Sequence, residues 1–123
     1  MTELIIRIFT DGAGCRPDGK GSGFSWIRED TGEKKVFRED SLTNNQAEYR
    51  AIRAAIEALP SGATVEVLTD SQNTCYQLRG EYRVRDPRLA DLHREIHELI
   101  KTKLLSVTFT WIPRSLNLAG KLI

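Results

Sequence analysis

Two apolar segments that each end in an aspartate limit what this chain can fold into more than any other feature. The first, L-I-I-R-I-F-T-D, runs from Leu4 to Asp11, and its apolar residues occupy both even and odd positions. That pattern is typical of a central strand covered on both faces. The second, T-V-E-V-L-T-D, ends at Asp70 and also predicts a buried strand. Acidic side chains are rarely buried unless they are paired or bind a metal, so both aspartates require an explanation.

A third acid, Glu48, lies on the apolar stripe of a predicted helix. Helical spacing places it in line with the inward-facing residues of that helix, which are Ile52, Ala55, Ile56 and Leu59. Two acids at strand ends and one facing inward predict a carboxylate cluster. Such a cluster suits a hard cation and is a candidate site for phosphoryl transfer.

Each acid also has an ordinary explanation. Glu48 can lie at the edge of the stripe and reach solvent or an arginine. Asp70 can cap the helix that follows it, and Asp11 can begin a turn with Gly12. The joint placement of all three at the ends or inner faces of central elements favours the cluster.

The remaining pattern predicts one α/β domain over residues 1–123, a length that suits a single core. The predicted order is β-β-β-α-β-α-α-β-α, with strands at 4–11, 24–29, 34–37, 64–70 and 106–112, and helices at 44–59, from about 71, at 87–103 and in the last ten residues. Short turns join the first three strands, which favours antiparallel pairing, whereas helices separate the later strands, which favours parallel crossovers. We therefore expect a five-stranded mixed sheet with helices on both faces. A glycine-rich connection over 12–23 contains Pro17.

Composition narrows the class of protein. The net charge is +1, so a nucleic-acid partner would have to be held by a local basic patch. Only two cysteines occur, Cys15 and Cys75, which favours a reducing cytoplasm over a disulfide framework. No apolar run is long enough for a membrane span, so we expect a soluble cytoplasmic protein without a membrane partner.

Three motifs together resemble type 1 ribonuclease H. They are D-G-A-G after the first strand, T-N-N-Q-A-E-Y on the first helix and T-D-S-Q after the fourth strand. W-I-P-R-S-L-N and G-E-Y-R-V-R are similar to the archaeal-like branch of that family, which lacks a basic protrusion. The resemblance implies a ribonuclease H-like fold and an endonuclease that cuts the RNA strand of RNA–DNA hybrids. It further implies two-metal catalysis with Mg²⁺ or Mn²⁺, leaving 5′-phosphate and 3′-hydroxyl ends.

The resemblance also implies roles for individual residues. Asp11 would bridge both ions, and Glu48 and Asp70 would complete the leaving-group side. The RNA strand would be recognised through its 2′-hydroxyls, which DNA lacks. The substrate-binding residues that match the family are the Gly12 backbone, Asn44 and Gln72 for the 2′-hydroxyls, Asn45 for the DNA strand or minor groove, and Thr43 for a DNA phosphate. Thr43, Asn44 and Asn45 would serve equally well as a helix cap, and the two roles are compatible.

The chain departs from the family near its C-terminal residues. The family's fourth acidic ligand would fall at Gly120 or Lys121, and Asn117 is the nearby residue with an oxygen to offer. We therefore expect Asn117 as a substitute ligand on a weakened nucleophile-side ion. Arg114 stands where many relatives carry histidine, and because arginine cannot act as a base its role would be electrostatic. A surface salt bridge is the alternative for Arg114.

A basic loop between the second and third helices is a candidate contact for the phosphate backbone. It contains Tyr82 and four arginines, of which Arg83 and Arg85 are the expected contacts, with Arg79 and Arg88 beside them. The alternative is a solvated loop balanced by nearby acids. We expect a monomer without an obligate protein partner. The rival function is a catalytically impaired hybrid-binding domain that lacks the fourth carboxylate.

Overall fold

The computed structural model describes residues 4–15 and 21–123, and its centre is a five-stranded mixed sheet. The spatial order is β3-β2-β1-β4-β5. The strands are β1 (Ile5–Ala13), β2 (Ser22–Arg28), β3 (Lys34–Glu39), β4 (Thr64–Thr69) and β5 (Ser106–Trp111). Antiparallel pairing joins β1, β2 and β3, and parallel pairing joins β1, β4 and β5. The predicted mixed sheet is confirmed, although residues 16–20 of the glycine-rich connection lie outside the described residues.

Three α-helices begin where the sequence offers a side chain to cap them. They are α1 (Asn44–Ala58), α2 (Gln72–Leu78) and α3 (Pro87–Thr102). Thr43 and Gln46 form a reciprocal capping box at α1, Ser71 caps α2, and Asp86 caps α3 just before Pro87. None of the helices in the described segments has the length and apolar character that crossing a membrane would need.

The two faces of the sheet are covered unequally. All three α-helices share one apolar cluster with Ile8, Val67 and Phe109, so they pack on the same face. On the opposite face, a smaller cluster joins Phe9 and Leu68 to the last of two short 3₁₀ turns, Arg114–Leu116 and Leu118–Lys121. The helix expected in the last ten residues is therefore a pair of 3₁₀ turns, and within the described ranges these turns are the helical cover of that face.

Ion pairs span the more open face. Arg7 lies between Glu29 and Glu66, with nitrogen–oxygen distances of 2.8 and 3.0 Å. Thr110 on β5 donates to the other oxygen of Glu66 at 2.8 Å. These contacts cross β1, β4 and β5 and reach the turn that follows β2, and polar side chains of this kind suit a sheet face that meets water.

A buried hydrogen bond joins α1 to α2. The hydroxyl of Tyr49 donates to Oε1 of Gln77 at 2.6 Å, and both residues are buried. The side-chain amide nitrogen of Gln77 donates to the backbone carbonyl of Arg83. The backbone carbonyl of Gln77 lies 3.0 Å from Nε2 of His93. Gln77 thus links α2, α3 and the basic loop.

We predict that Tyr49→Phe destabilises the protein by about 1–2 kcal/mol, because the Gln77 oxygen would keep its burial and lose its donor. Urea denaturation followed by circular dichroism measures the change. Tyr82→Phe is the matched control, since Tyr82 is 48% exposed, and its effect should stay within about 0.5 kcal/mol. Equal effects of the two substitutions would contradict the prediction.

Candidate metal centre

The carboxylate cluster forms at the edge of the sheet where β1 and β4 run side by side. Thr10 pairs with Thr69 in the parallel register, so the next residues, Asp11 and Asp70, are neighbours. Glu48 reaches the same point from the second turn of α1. One carboxylate oxygen from each of the three residues lies within 4.8 Å of the others. The cluster predicted from the sequence is therefore present in the fold.

Direct packing of α1 on β1 brings Glu48 into the cluster. A Cβ placed on Gly12 would lie 2.3 Å from the carbonyl carbon of Ala47 and 2.5 Å from the backbone nitrogen of Glu48. Only glycine permits this approach of helix and strand backbones. The backbone N–H of Gly14 then donates to Oδ1 of Asn44 at 2.7 Å, which joins the strand to the start of α1. The glycines of D-G-A-G thus position both Glu48 and Asn44.

Burial leaves the acid groups short of compensating partners. The Asp11 side chain is 1% exposed and that of Asp70 is 9% exposed. Within the described residues, both oxygens of Asp11 and Oε2 of Glu48 are buried without a hydrogen-bond donor. Buried polar atoms in this state are costly, and a bound cation is one arrangement that satisfies them.

The pKa values of the cluster follow from that burial. Desolvation, followed by the charge of Asp70, raises the pKa of Asp11 to about 6, and Arg114 partly offsets the rise. Desolvation, then the charges of Asp11 and Asp70, raises the pKa of Glu48 well above its ordinary value. A divalent cation would reverse both effects, because it favours the ionised carboxylates. Three converging carboxylate oxygens are a donor set that fits a hard ion such as Mg²⁺ or Mn²⁺.

Asn117 enters the site as a hydrogen-bond donor, which differs from the oxygen ligand expected from the sequence. Its Nδ2 donates to the Thr10 carbonyl at 2.9 Å and to Oδ2 of Asp70 at 3.0 Å. Its Oδ1 accepts from the Ala119 N–H at 3.1 Å. The Ala119 N–H can only donate and the Thr10 carbonyl can only accept, so these two groups determine the orientation of the amide. In this arrangement Asn117 steadies Asp70 through its amide nitrogen, while its oxygen accepts from the Ala119 N–H.

Two other residues of the C-terminal turns lie beside the acids. Nη1 of Arg114 is 3.7 Å from Oδ1 of Asp11 and 3.6 Å from Oδ2 of Asp70. A Cβ on Gly120 would lie 3.8 Å from Oδ2 of Asp11, so this position faces the cluster but supplies no side chain. The region of the expected fourth acid is thus bordered by a glycine and an arginine.

Four of the residues expected to bind substrate lie at the starts of α1 and α2. Thr43, Asn44 and Asn45 are exposed at the start of α1, and Gln72 is exposed at the start of α2. Thr43 also caps α1, since its Oγ1 accepts from the Gln46 N–H. The sequence reasoning missed Trp111, whose indole N–H donates to the Asp70 carbonyl at 3.2 Å. The expected parallel pairing of β4 and β5 could have indicated this contact, because it pairs Trp111 with Thr69, the residue before Asp70.

The basic loop lies outside the cluster, in the connection between α2 and α3. Arg79 pairs with Glu81 and Arg88 pairs with Asp86, so those two arginines are largely neutralised. Arg83 and Arg85 are exposed, and neither forms an ion pair within the described part of the chain. Of the four arginines, these two keep the more available charge.

Several known proteins are similar to this chain in sequence. A sequence profile of the family described as RNase H matches residues 4–113. A "Ribonuclease H" from Cupriavidus pinatubonensis is 31% identical over 125 residues, which cover 91% of this chain and 83% of that protein. One from Thiobacillus denitrificans is 39% identical over 74 residues, covering 58% of this chain and 49% of that protein. The chain spans about half the length of several such curated relatives.

Solved structures agree in fold. LC11-RNase H1 in complex with an RNA/DNA hybrid superposes with a TM-score of 0.84 at 29% identity, covering 95% of this chain and 92% of that one. RNase H1 from Halobacterium salinarum gives a TM-score of 0.82 at 28% identity, covering 97% and 93%. In both cases the similarity extends over nearly the whole chain.

Proposed function

Because this chain belongs to the ribonuclease H family, we propose that it is an endonuclease that hydrolyses the RNA strand of RNA–DNA hybrids with divalent metal ions. The products would be a 5′-phosphate and a 3′-hydroxyl. The observation that carries the proposal is the cluster of Asp11, Glu48 and Asp70, whose oxygens lie within 4.8 Å of one another. Neither oxygen of Asp11 has a hydrogen-bond donor within the described residues, as expected of groups reserved for a cation.

The chain's own residues would hold and orient the reacting groups. Asp11 and Asp70 offer oxygens from adjacent strands, and Glu48 closes the cluster from α1. Asn117 limits the rotation of Asp70 through the bond from Nδ2 to Oδ2. Mg²⁺ or Mn²⁺, when bound, supplies the Lewis acidity that activates water and stabilises the leaving oxygen. Two ions are expected from the family resemblance, with Arg114 as a further positive charge near the phosphate.

Recognition of the RNA strand would use the exposed polar groups around the cluster. Since Oδ1 of Asn44 accepts from Gly14, its amide nitrogen is the group left to donate to a 2′-hydroxyl. Gln72 and the Gly12 backbone would complete that contact, while Thr43 and Asn45 would hold the DNA strand. Arg83 and Arg85 would contact phosphates farther along the duplex. A neighbour of similar fold has been solved with an RNA/DNA hybrid, which supports this substrate class.

A second function is favoured by one observation at the C-terminal turns. In the described residues the metal-ligating cluster contains three acids, and Gly120 faces it without a side chain. A site with fewer carboxylates binds its ions more weakly. The chain would then be a hybrid-binding domain with impaired catalysis.

We also propose a monomer in the reducing cytoplasm, in keeping with the free thiols of Cys15 and Cys75.

Cleavage of an RNA–DNA hybrid distinguishes the two functions. The RNA strand is labelled at its 5′ end and incubated with the protein in Mg²⁺ and, separately, in Mn²⁺. We expect cutting of the RNA strand that falls by about 10³-fold or more in Asp70→Asn, which removes a metal-binding charge and keeps the size of the side chain. RNA duplex and DNA duplex serve as control substrates.

Binding of the same hybrid, measured by fluorescence anisotropy, completes the test. Binding without cutting in either metal would identify the impaired domain. Cutting that persists in Asp70→Asn would exclude the cluster as the catalytic site. If the protein neither binds nor cuts the hybrid, both proposed functions are wrong.

A further inference from the structure

Arg114 enters the carboxylate cluster from solvent. Its Nη1 lies 3.7 Å from Asp11 and 3.6 Å from Asp70, whereas its side chain is 70% exposed and the two acids are almost fully buried. Charge-assisted hydrogen bonds between nitrogen and carboxylate are shorter, at about 2.7–2.9 Å. The guanidinium is therefore a charge partner for both aspartates without being locked onto either.

The first 3₁₀ turn places Arg114 and Asn117 over the same oxygen. The Asn117 N–H donates to the Arg114 carbonyl at 3.1 Å, which closes the turn. Both side chains then approach Oδ2 of Asp70, Asn117 at 3.0 Å and Arg114 at 3.6 Å. The opposite side of the cluster differs, because Oε2 of Glu48 is buried without any donor in the described residues. Protein donors thus occupy the Asp70 side and leave the Glu48 side free.

We propose that Arg114 is an internal counter-cation that replaces one of two divalent ions in the resting site. One ion binds among the three carboxylates while Arg114 stays in place, and a second ion binds only when the guanidinium leaves. This inference rests on the proposed function in one respect, namely that the three carboxylates are the metal site.

Charge balance supports this assignment. One divalent ion and one guanidinium together match the three negative charges of the fully ionised carboxylates. A second ion added beside Arg114 would leave the buried site with a net positive charge, which is unfavourable at low dielectric. Because Arg114 is mostly exposed, it can turn toward solvent at little cost. An incoming phosphate offers it a new partner at that moment.

The test counts Mn²⁺ ions bound to the metal-free protein in the absence of nucleic acid, by calorimetry and by electron paramagnetic resonance of the free ion. The wild type should bind one ion over the manganese range that saturates the three carboxylates. Arg114→Gln removes the charge of this side chain and keeps its hydrogen-bonding capacity. This variant should bind a second ion or bind manganese roughly tenfold more tightly. The expected change is moderate because the interaction of an exposed charge is weak, although the ion that it repels carries two charges. Arg114→Lys should resemble the wild type.

Two further variants separate this idea from its alternatives. Arg94→Gln is the matched control, because Arg94 is similarly exposed on α3 and pairs with Asp91 and Glu98 away from the cluster. It should leave manganese binding unchanged. Gly120→Asp adds a fourth carboxylate at a position whose Cβ would lie 3.8 Å from Asp11, an ordinary contact distance, and should admit a second ion with Arg114 present.

The inference is overturned if Arg114→Gln matches the wild type in both stoichiometry and affinity. If only Gly120→Asp then binds a second manganese ion, the missing fourth carboxylate, and not Arg114, limits the number of ions bound. Hybrid cleavage measured on the same samples distinguishes a failure of the counter-cation proposal from a failure of the proposed function. If the wild type binds manganese and cuts hybrid, and Arg114→Gln binds manganese as the wild type does, only the counter-cation role of Arg114 is excluded. A wild type that neither binds manganese nor cuts would remove the proposed function as well.

Discussion

Replacing Asp11 with asparagine should abolish hybrid cleavage and, in the metal-free protein, raise the stability of the fold. Asp11 is central to the cluster, since it neighbours Asp70 in the sheet and one of its oxygens lies within 4.8 Å of an oxygen of Glu48. Loss of its charge removes several kcal/mol of metal binding and transition-state stabilisation, so activity should fall by about 10³-fold or more. Stability should change in the opposite direction, because the buried carboxylate has no hydrogen-bond donor in the described residues.

The sign of the stability change depends on pH. Folding raises the pKa of Asp11 from 3.8 to about 6, so the folded state holds the proton more tightly than the unfolded state does. Below about pH 4 both states are protonated, and the ionisation costs nothing. Between about pH 4 and 6 the wild type loses stability as pH rises, and above pH 6 the full cost of about 3 kcal/mol remains. Asparagine at position 11 has no such cost, so its advantage should appear over that pH range and then level off.

Thermal unfolding in a chelating buffer at pH 4, 6 and 8 measures this difference. Adding Mg²⁺ or Mn²⁺ at pH 8 should raise the unfolding temperature of the wild type and leave Asp11→Asn nearly unchanged, because a ligand stabilises only the state that binds it. Glu29→Gln is a control, since that acid pairs with Arg7 on the open face of the sheet, away from the cluster. A metal-free Asp11→Asn protein that is less stable than the wild type at pH 8 would contradict the explanation.

Among the glycines that the structure describes, Gly12 is where an added methyl group should have the largest effect on folding. The new Cβ would lie 2.3 Å from the carbonyl carbon of Ala47 and 2.5 Å from the nitrogen of Glu48, both of them backbone atoms in α1. A helix backbone cannot yield as the end of a side chain can, so α1 has to move away from β1. We expect a loss of about 3 kcal/mol or more, at the upper end of overpacking effects.

Urea denaturation measures the loss, and Gly32→Ala is the matched control. Gly32 has a φ of +74° and nothing within 4 Å of its added Cβ, so alanine there costs only backbone strain of about 1 kcal/mol. Displacement of α1 also shifts Glu48, so manganese affinity of Gly12→Ala should fall even below the unfolding transition. Similar stabilities for the two variants would show that α1 does not rest on β1 as described.

The three carboxylates could be predicted from the sequence because local periodicity reports their surroundings. Asp11 and Asp70 each follow an apolar strand, and Glu48 repeats in phase with the buried residues of its helix. Strand parity and helix spacing depend on neighbours within a few positions, and both are legible without a structure. The identity of the acidic site therefore followed from patterns that each element carries by itself.

The contacts of Asn117 could not be predicted in the same way. Its partner Thr10 is 107 positions away, and the direction of its amide depends on a 3₁₀ turn that positions the Ala119 N–H. Tertiary packing thus determines that Asn117 presents its amide nitrogen to Asp70. The unequal cover of the sheet has a related origin, because periodicity shows that a strand is buried on both sides but not which element covers each side.

The parallel pairing of β1 with β4 has a consequence for when the site can exist. Thr10 meets Thr69 only after the chain has closed a loop of about 60 residues, and contacts of such long sequence separation form late and slowly. During synthesis, Asp11 and Glu48 leave the ribosome well before Asp70, and the turn that carries Arg114 and Asn117 follows last. An incomplete chain therefore lacks the assembled carboxylate cluster, and the proposed activity can arise only once β1 and β4 have paired.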